Sequence, residues 1–199
     1  PRYSHSAAAV ASRRAAGSLS VARARARVRS RTATIVPSAM FAPRAAHGAT
    51  VDWIRAFVCG LALCPWAQPD ATLVVVAPHS AHVAVGVRFM RRQAELLIAR
   101  APPPPHRGVR RPTVVSAFTA SAYKDVLAFA SLWRAVESDL SAFAPGQLVL
   151  LAFHPNRVDS GPGCLPHMAD DAGHFSVRAP LPTLQLLRDV DVDTARAQW

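Results

Sequence analysis

Three short apolar runs alternate with segments of helical periodicity, and this alternation is the feature that most constrains the fold. The strand-like runs span residues 73–77, 112–118 and 147–153. The helical segments span residues 51–60, 87–100, 121–143 and 180–190. Alternation of strands and helices is typical of α/β proteins, in which helices cover a sheet. We therefore predict a single α/β domain, a compact sandwich with three or more strands in a parallel or mixed sheet.

Several residues predict where the helices begin and end. Thr50 or Asp52 is expected to cap the first helix, and Pro182 is expected to start the last one. The proline run at residues 102–105 ends the second helix, because proline cannot continue a helix. Arg178 is followed by Ala-Pro-Leu-Pro and therefore lies just before the predicted last helix.

Charge divides the chain into two parts. Residues 1–48 contain nine arginines, whereas the first acidic residue of the whole chain is Asp52. This composition, rich in Ala, Arg and Ser, is typical of an organellar transit peptide, and the alternative is a disordered basic tail. We therefore expect a plastid or mitochondrial protein. Residues 49–199 hold 14 basic and 12 acidic residues, so this globular part is not expected to bind nucleic acid.

Cysteine content and hydropathy restrict the compartment. Three cysteines are too few for a disulfide scaffold, which favours a reducing environment. One of the two longest uncharged stretches, residues 71–87, is interrupted by Pro78 and two histidines. A membrane helix needs about 20 mostly apolar residues. We therefore predict a soluble protein without a membrane partner.

A long loop after the third strand-like run is the best candidate for a functional site. It begins at His154 and continues for about 25 residues. Ligands of open α/β sheets bind beyond the carboxyl ends of the strands. His154 suits a general base, a ligand or an anchor for the loop. Arg178, next to the predicted last helix, suits a carboxylate or phosphate, and the alternative is an ion pair with Asp170 or Asp171.

Cys64 is the candidate nucleophile. It precedes Pro65, so it would cap a short helix whose dipole lowers the pKa of the thiol. The alternative is a buried and inert cysteine, because its neighbours are apolar.

Cofactor signals are weak throughout the chain. Cys164, His167 and His174 resemble part of a zinc site, but only these three lie close in sequence. No phosphate-binding loop, dinucleotide fingerprint or nucleophile elbow is present. We therefore predict no metal and no cofactor.

Three segments together resemble a known family. They read Gly-Leu-Ala-Leu-Cys-Pro-Trp-Ala at residues 60–67, Ala-Phe-His-Pro at 152–155, and Arg-Ala-Pro-Leu-Pro-Thr-Leu-Gln-Leu-Leu-Arg-Asp at 178–189. Their order and spacing are similar to those of the mainly bacterial family catalogued as domain of unknown function 1415. The resemblance covers about residues 50–196 and implies a further helical segment after Trp199.

The resemblance also implies which polar positions matter. Its matching positions are Cys64, His154, Arg178 and Arg188, with Asp189 where the family has Glu. Four positions depart from the family pattern, in which they are Asn, Asn, Tyr and His. These positions are Ala62, Val177, Leu181 and Gln185. Losing these polar partners favours binding over catalysis in this chain.

Three functions follow as hypotheses. The first is a small organellar enzyme that acts on an anionic small molecule. Its residues are Cys64 and His154 for catalysis, Arg178 and Arg188 for anion binding, and Asp170, Asp171 and Asp189 in support. The alternative is a non-catalytic module, or a degenerate family copy, that binds an anion or a peptide carboxylate. The third is organellar RNA association through residues 1–48. The oligomeric state is left open.

Overall fold

The computed structural model describes residues 42–61, 69–100, 111–157 and 177–197, which all belong to one compact unit. The helices of this part are α1 (Pro43–Trp53), α2 (Val83–Ile98), α3 (Val126–Phe143) and α4 (Asp189–Ala197). The strands are β1 (Thr72–Val76), β2 (Thr113–Ala117), β3 (Leu148–Phe153) and β4 (Thr183–Arg188). None of these helices has the length and apolar composition needed to cross a membrane. The predicted α/β class is confirmed.

The four strands form one mixed sheet in the order β1-β2-β4-β3. β1 and β2 are parallel, whereas β4 is antiparallel to both of its neighbours. β3 therefore runs in the same direction as β1 and β2. We call the side where these three strands end the carboxyl edge; it holds Val76, Ala117, Phe153 and Thr183. The opposite side is the amino edge; it holds Thr72, Thr113, Leu148 and Arg188.

Helices α2 and α3 cover one face of the sheet and form the main core. Both helices place apolar residues at intervals of three or four, so one side of each is buried. The buried helix residues are Met90, Ala94 and Leu97 from α2, and Phe129, Leu132, Val136 and Leu140 from α3. Gly86 lets the two helices approach closely, because a Cβ there would lie 2.6 Å from Leu132 Cδ1. Burying a side chain the size of Leu contributes about 1.5 to 3 kcal/mol.

Asp125 begins α3. Its carboxylate accepts hydrogen bonds from the backbone N–H groups of Leu127, at 2.7 Å, and Ala128, at 2.9 Å. Such a cap contributes about 1 kcal/mol. The predicted segment 121–143 is therefore a short 3₁₀ turn, Ser121–Lys124, followed by α3 proper.

Helix α1 lies on the other face. Ile54, which follows α1 in a π-helical turn (Ile54–Cys59), packs with Val74 and Val115. Val114 belongs to the main core, and the side chains of neighbouring strand residues point to opposite faces of the sheet. Val115 and Ile54 therefore pack on the face opposite to the main core. The helix begins at Pro43, well before the predicted residue 51, because proline suits the first helical position.

The predicted cap Thr50 lies inside α1. It is fully buried, and its hydroxyl donates to the Ala46 carbonyl at 2.9 Å. This intrahelical bond is the usual alternative to capping for a threonine. Residues 43–48, which were assigned to the basic tail, are therefore helical.

One prediction was wrong. The segment 180–190 is not a helix started by Pro182; it contains β4, and α4 begins only at Asp189. Leu, Gln and Arg are good helix formers, which misled the prediction. Strand pairing on both sides of β4 overrides that preference. The three predicted strands are confirmed to within one residue at their ends, and α2 begins four residues earlier than predicted.

Candidate functional site

The predicted functional residues lie at two different edges of the sheet. His154 follows β3 and Arg178 precedes β4, so both lie at the carboxyl edge. Arg188 ends β4 at the amino edge, and Asp189 follows it. The six residues of β4 span about 17 Å at the usual strand rise, so Arg178 and Arg188 do not share a site. Cys64, Asp170 and Asp171 lie outside the described residues.

His154 is held on both ring nitrogens. It is 1% exposed, and Nε2 lies 3.0 Å from the Tyr123 carbonyl oxygen. The backbone N–H of Asn156 donates to Nδ1 at 3.1 Å. A carbonyl only accepts and this N–H only donates, so the ring is the neutral tautomer with its proton on Nε2. This geometry is that of an anchor for the chain after β3.

Burial lowers the pKa of His154, while the hydrogen bond to the Tyr123 carbonyl opposes that shift. The ring also packs against Phe129, with centroids 5.5 Å apart. Desolvation penalises the charged imidazolium, so the neutral form persists in the fold. A general base would need a free nitrogen facing a substrate, and both nitrogens are already engaged.

The same network joins the three chain segments that leave the carboxyl edge. The Tyr123 hydroxyl donates to the Ala81 carbonyl at 3.2 Å, and burial raises the pKa of that hydroxyl. His79 Nδ1 and Thr119 Oγ1 lie 3.1 Å apart. Tyr123 thus connects the segment after β1 with the segments after β2 and β3. These polar groups stabilise the edge.

Arg178 supports the turn after β3. Its Nε donates to the Arg157 carbonyl at 3.1 Å, and the Arg157 guanidinium lies 5.1 Å from the centre of the Trp133 ring. Arg157 also donates to the Ala152 carbonyl. Because β4 follows Arg178, the predicted pairing of this arginine with a helix N-terminus is wrong.

The amino edge holds two buried arginines around one carboxylate. Arg188 Nε donates to Asp191 Oδ2 at 2.7 Å, and Arg111 Nη1 donates to Asp191 Oδ1 at 2.7 Å. The three side chains are between 5% and 9% exposed. We call these three residues the arginine cluster. Two cations and one anion give it a formal charge of +1.

Each guanidinium of the arginine cluster has one buried terminal nitrogen without a hydrogen-bond acceptor in the described part of the chain. Arg188 Nη1 donates to the Arg100 carbonyl at 3.0 Å, but Arg188 Nη2 and Arg111 Nη2 are buried and find no acceptor within the described part of the chain. Leaving a buried donor unsatisfied costs about 1 to 3 kcal/mol, and more for a charged group. An acceptor placed here would remove that cost.

A cavity of about 240 Å³ adjoins the arginine cluster. Its lining consists of Ile98, Arg100, Gly146, Gln147, Arg188 and Val190. Two of these residues are cationic and none is acidic. The backbone N–H of Asp189 donates to the Gln147 carbonyl at 2.9 Å, which ties the start of α4 to the start of β3 beside the cavity. The arrangement suits one anionic group.

Sequence analysis identified Arg188 but missed Arg111 and Asp191. Arg188 and Asp191 are three residues apart, a spacing that allows an ion pair at a helix start. Arg111 is 80 residues from Asp191 and meets it only because β2 pairs with β4. No local pattern signals that contact.

The described residues contain no group of three or more His, Cys, Asp or Glu side chains suited to a metal ion. The weak zinc pattern of Cys164, His167 and His174 lies outside the described residues.

Comparison with known proteins tests the resemblance. Residues 45–199 match the family described as "Protein of unknown function (DUF1415)". No curated protein and no solved structure matches the chain. The match covers well over half of the chain, so the protein belongs to the DUF1415 family.

Proposed function

We propose that the folded domain is a non-catalytic module that binds a small anionic molecule at the arginine cluster. The observation that carries the proposal is the pair of buried guanidinium nitrogens, on Arg111 and Arg188, that lack an acceptor. The adjoining cavity supplies space for a ligand, and its lining includes Arg188 and Arg100 but not Arg111. Arginine is the residue best suited to planar recognition of carboxylate or phosphate.

The contacts at the carboxyl edge favour binding over catalysis. Both nitrogens of His154 are engaged, and its pKa is lowered by burial. The enzyme hypothesis depends on the Cys64 thiol, and it stays a prediction. It expects iodoacetamide to label Cys64 faster than Cys59 or Cys164 at neutral pH. Equal labelling of the three cysteines would remove the nucleophile.

The organellar location stays a prediction that is independent of the site. Residues 1–48, fused to a fluorescent protein, are expected to direct it into a plastid or a mitochondrion, because their composition is that of a transit peptide. Diffuse fluorescence in the cytosol would contradict it.

The test of the proposed function is a thermal-shift titration of the full chain with small carboxylates, phosphate and sulfate at constant ionic strength. A ligand that binds only the folded state raises Tm. Arg188→Gln is expected to abolish the shift. This variant leaves one guanidinium paired with one carboxylate in the arginine cluster, so the fold is expected to survive.

The matched control is Arg196→Gln. Arg196 lies on α4, is 74% exposed and pairs only weakly with Asp193, at 3.3 Å. Arg196→Gln removes the same charge from α4, the helix that directly follows Arg188 in the chain, and the anion-induced shift is expected to persist. An unchanged shift in Arg188→Gln would show that the anions act elsewhere, for example on the nine arginines of residues 1–48.

A further inference from the structure

We propose that two copies of the chain associate through the outer edge of β3, so that their sheets join into one continuous sheet across a two-fold axis. β3 is an end strand of the sheet, and β4 is its neighbour among the described strands. An end strand presents unpaired backbone N–H and C=O groups, which are a template for pairing with another chain. This surface is separate from the arginine cluster, and the inference is independent of the proposed function.

The backbone groups of β3 that face outward follow from its pairing with β4. The Asp189 N–H donates to the Gln147 carbonyl, and in antiparallel pairs residues that bond to the neighbouring strand alternate with residues that face away. Every second residue after Gln147 therefore bonds to β4. The residues between them, Leu148, Leu150 and Ala152, direct their N–H and C=O groups away from β4.

The two ends of this outward edge differ in whether they are capped. At the carboxyl end, the Arg157 guanidinium donates to the Ala152 carbonyl. At the amino end, the outward groups of Leu148 and Leu150 have no hydrogen-bond partner in the described part of the chain. Antiparallel pairing of Leu148 with Leu150 of a second copy would satisfy these groups in both copies and leave the Ala152 cap in place.

The side chains of β3 suit burial between two copies. All six residues of Leu148–Phe153 are apolar. Natural proteins often protect an edge strand with a lysine or a proline, and β3 carries neither. In the proposed register Val149 faces Val149 of the second copy. Leu151, which is 40% exposed, lies diagonally next to that valine and would be covered.

Charge complementarity favours a second copy over an unrelated strand. A cavity of about 250 Å³ lies beside the amino end of β3, and its lining includes Glu137, Gly146 and Leu148. Arg157 contacts Ala152 of its own strand, and in this register Ala152 comes opposite Gly146 of the second copy. The two-fold axis therefore brings each Arg157 next to the cavity that holds Glu137 of the other copy. Opposite charges that meet at both ends of the interface favour this orientation.

The test is sedimentation-equilibrium centrifugation of the full chain over a range of protein concentrations. We expect a reversible monomer–dimer equilibrium. Leu151→Lys is expected to raise the dimer Kd about tenfold or more, because each copy would bury a lysine against β3 of the other. The matched control is Leu73→Lys on β1, the other end strand, where the leucine is 36% exposed. This control is expected to keep the wild-type Kd.

Leu148→Pro tests the backbone pairing separately. Proline has no N–H, and the Leu148 N–H faces away from β4, so the change removes hydrogen bonds between the copies and leaves the pairing of β3 with β4 intact. The dimer Kd is expected to rise in this variant as well. Far-UV circular dichroism checks that each variant keeps the fold.

Three outcomes would overturn the inference. The first is a chain that stays monomeric at every concentration. The second is a dimer that is insensitive to both β3 variants, and the third is a dimer that dissociates in Leu73→Lys, since association would then use another surface. No anion takes part in this experiment, so its failure leaves the proposed function standing.

Discussion

The two edges of the sheet differ in whether their buried polar groups have hydrogen-bond partners. At the carboxyl edge, neutral groups such as His154 and Thr119 are buried with a hydrogen-bond partner. At the amino edge, Arg111 and Arg188 are buried with a donor left unsatisfied on each. Ligands of open α/β sheets usually bind at the carboxyl edge. Here the antiparallel β4, inserted between β2 and β3, brings its final arginine to the amino edge, where we propose that the anion binds.

The largest expected effect comes from removing the shared carboxylate at the amino edge. Asp191→Ala is expected to lower the free energy of unfolding by about 3 to 5 kcal/mol, because it leaves two buried guanidinium groups unpaired. Urea denaturation measures this loss. Asp193→Ala on the same helix is the control; its carboxylate is exposed and pairs with exposed Arg196. A surface pair of this kind contributes less than about 1 kcal/mol.

Equal losses in the two aspartate variants would show that Asp191 is not the centre of a buried cluster. A large anion-induced rise in the Tm of Asp191→Ala is also expected, since an added carboxylate replaces the missing one. Asp193→Ala gives no such increase over the wild type if the arginine cluster is the binding site.

The next effect tests the carboxyl edge. His154→Ala is expected to cost about 2 to 3 kcal/mol at neutral pH, because it removes a buried ring and leaves the Tyr123 carbonyl and the Asn156 N–H without a partner. Urea denaturation of both proteins measures this cost.

The difference in stability between the wild type and His154→Ala is expected to change with pH in a defined direction. The folded pKa of His154 lies below its ordinary value near 6.5, so the unfolded chain takes up the proton first as pH falls. The contribution of His154 to the free energy of unfolding is complete above about pH 6.5 and decreases as pH falls through the folded pKa. The wild type is therefore expected to lose more stability than His154→Ala on acidification from about pH 7.5 to pH 5. Parallel curves would contradict the anchoring role.

The features of the fold that depend on neighbouring residues were predictable from sequence, whereas those that depend on contacts between distant residues were not. β1, β2 and β3 were found because each is a continuous apolar run, and that signal is local. β4 was missed because Leu184 and Leu186 are spaced for a strand among residues that favour a helix. Only its pairing with β2 and β3 decides the conformation.

The candidate site shows the same division. Arg188 was found through the family resemblance, and its ion pair with Asp191 lies within one helical turn. Arg111 was missed because its contact spans 80 residues. The prediction that Arg178 lies beside a helix N-terminus was wrong because β4 was missed. A strand places Arg178 and Arg188 at opposite edges of the sheet. A helix beginning at Pro182 would have placed the two arginines closer to each other.

A smaller effect is expected between the two edges, at the start of β2. The Thr113 hydroxyl donates to the Leu186 carbonyl at 2.9 Å and accepts from Gln185 Nε2 at 3.1 Å. Thr113→Val preserves the shape of the side chain and removes both bonds, so it is expected to cost about 1 kcal/mol. A Tm decrease in differential scanning calorimetry measures this cost. No decrease would show that these bonds exchange for water without loss.

The smallest expected effect is at Ser116, three residues further along β2. Ser116 is fully buried, and its hydroxyl has no hydrogen-bond partner within the described part of the chain. It faces the same side as Val114, which belongs to the main core. Ser116→Ala removes an unsatisfied hydroxyl and keeps the Cβ, so stability is expected to stay within about 0.5 kcal/mol of the wild type or to rise.

Thr113→Val is the matched comparison, because both changes remove one buried hydroxyl from the same strand. A loss at Ser116 as large as that at Thr113 would show that the Ser116 hydroxyl is bonded in solution. An unsatisfied hydroxyl at the centre of the sheet lowers the stability of the fold only slightly, whereas the unsatisfied guanidinium nitrogens at the amino edge are the feature on which the proposed anion site depends.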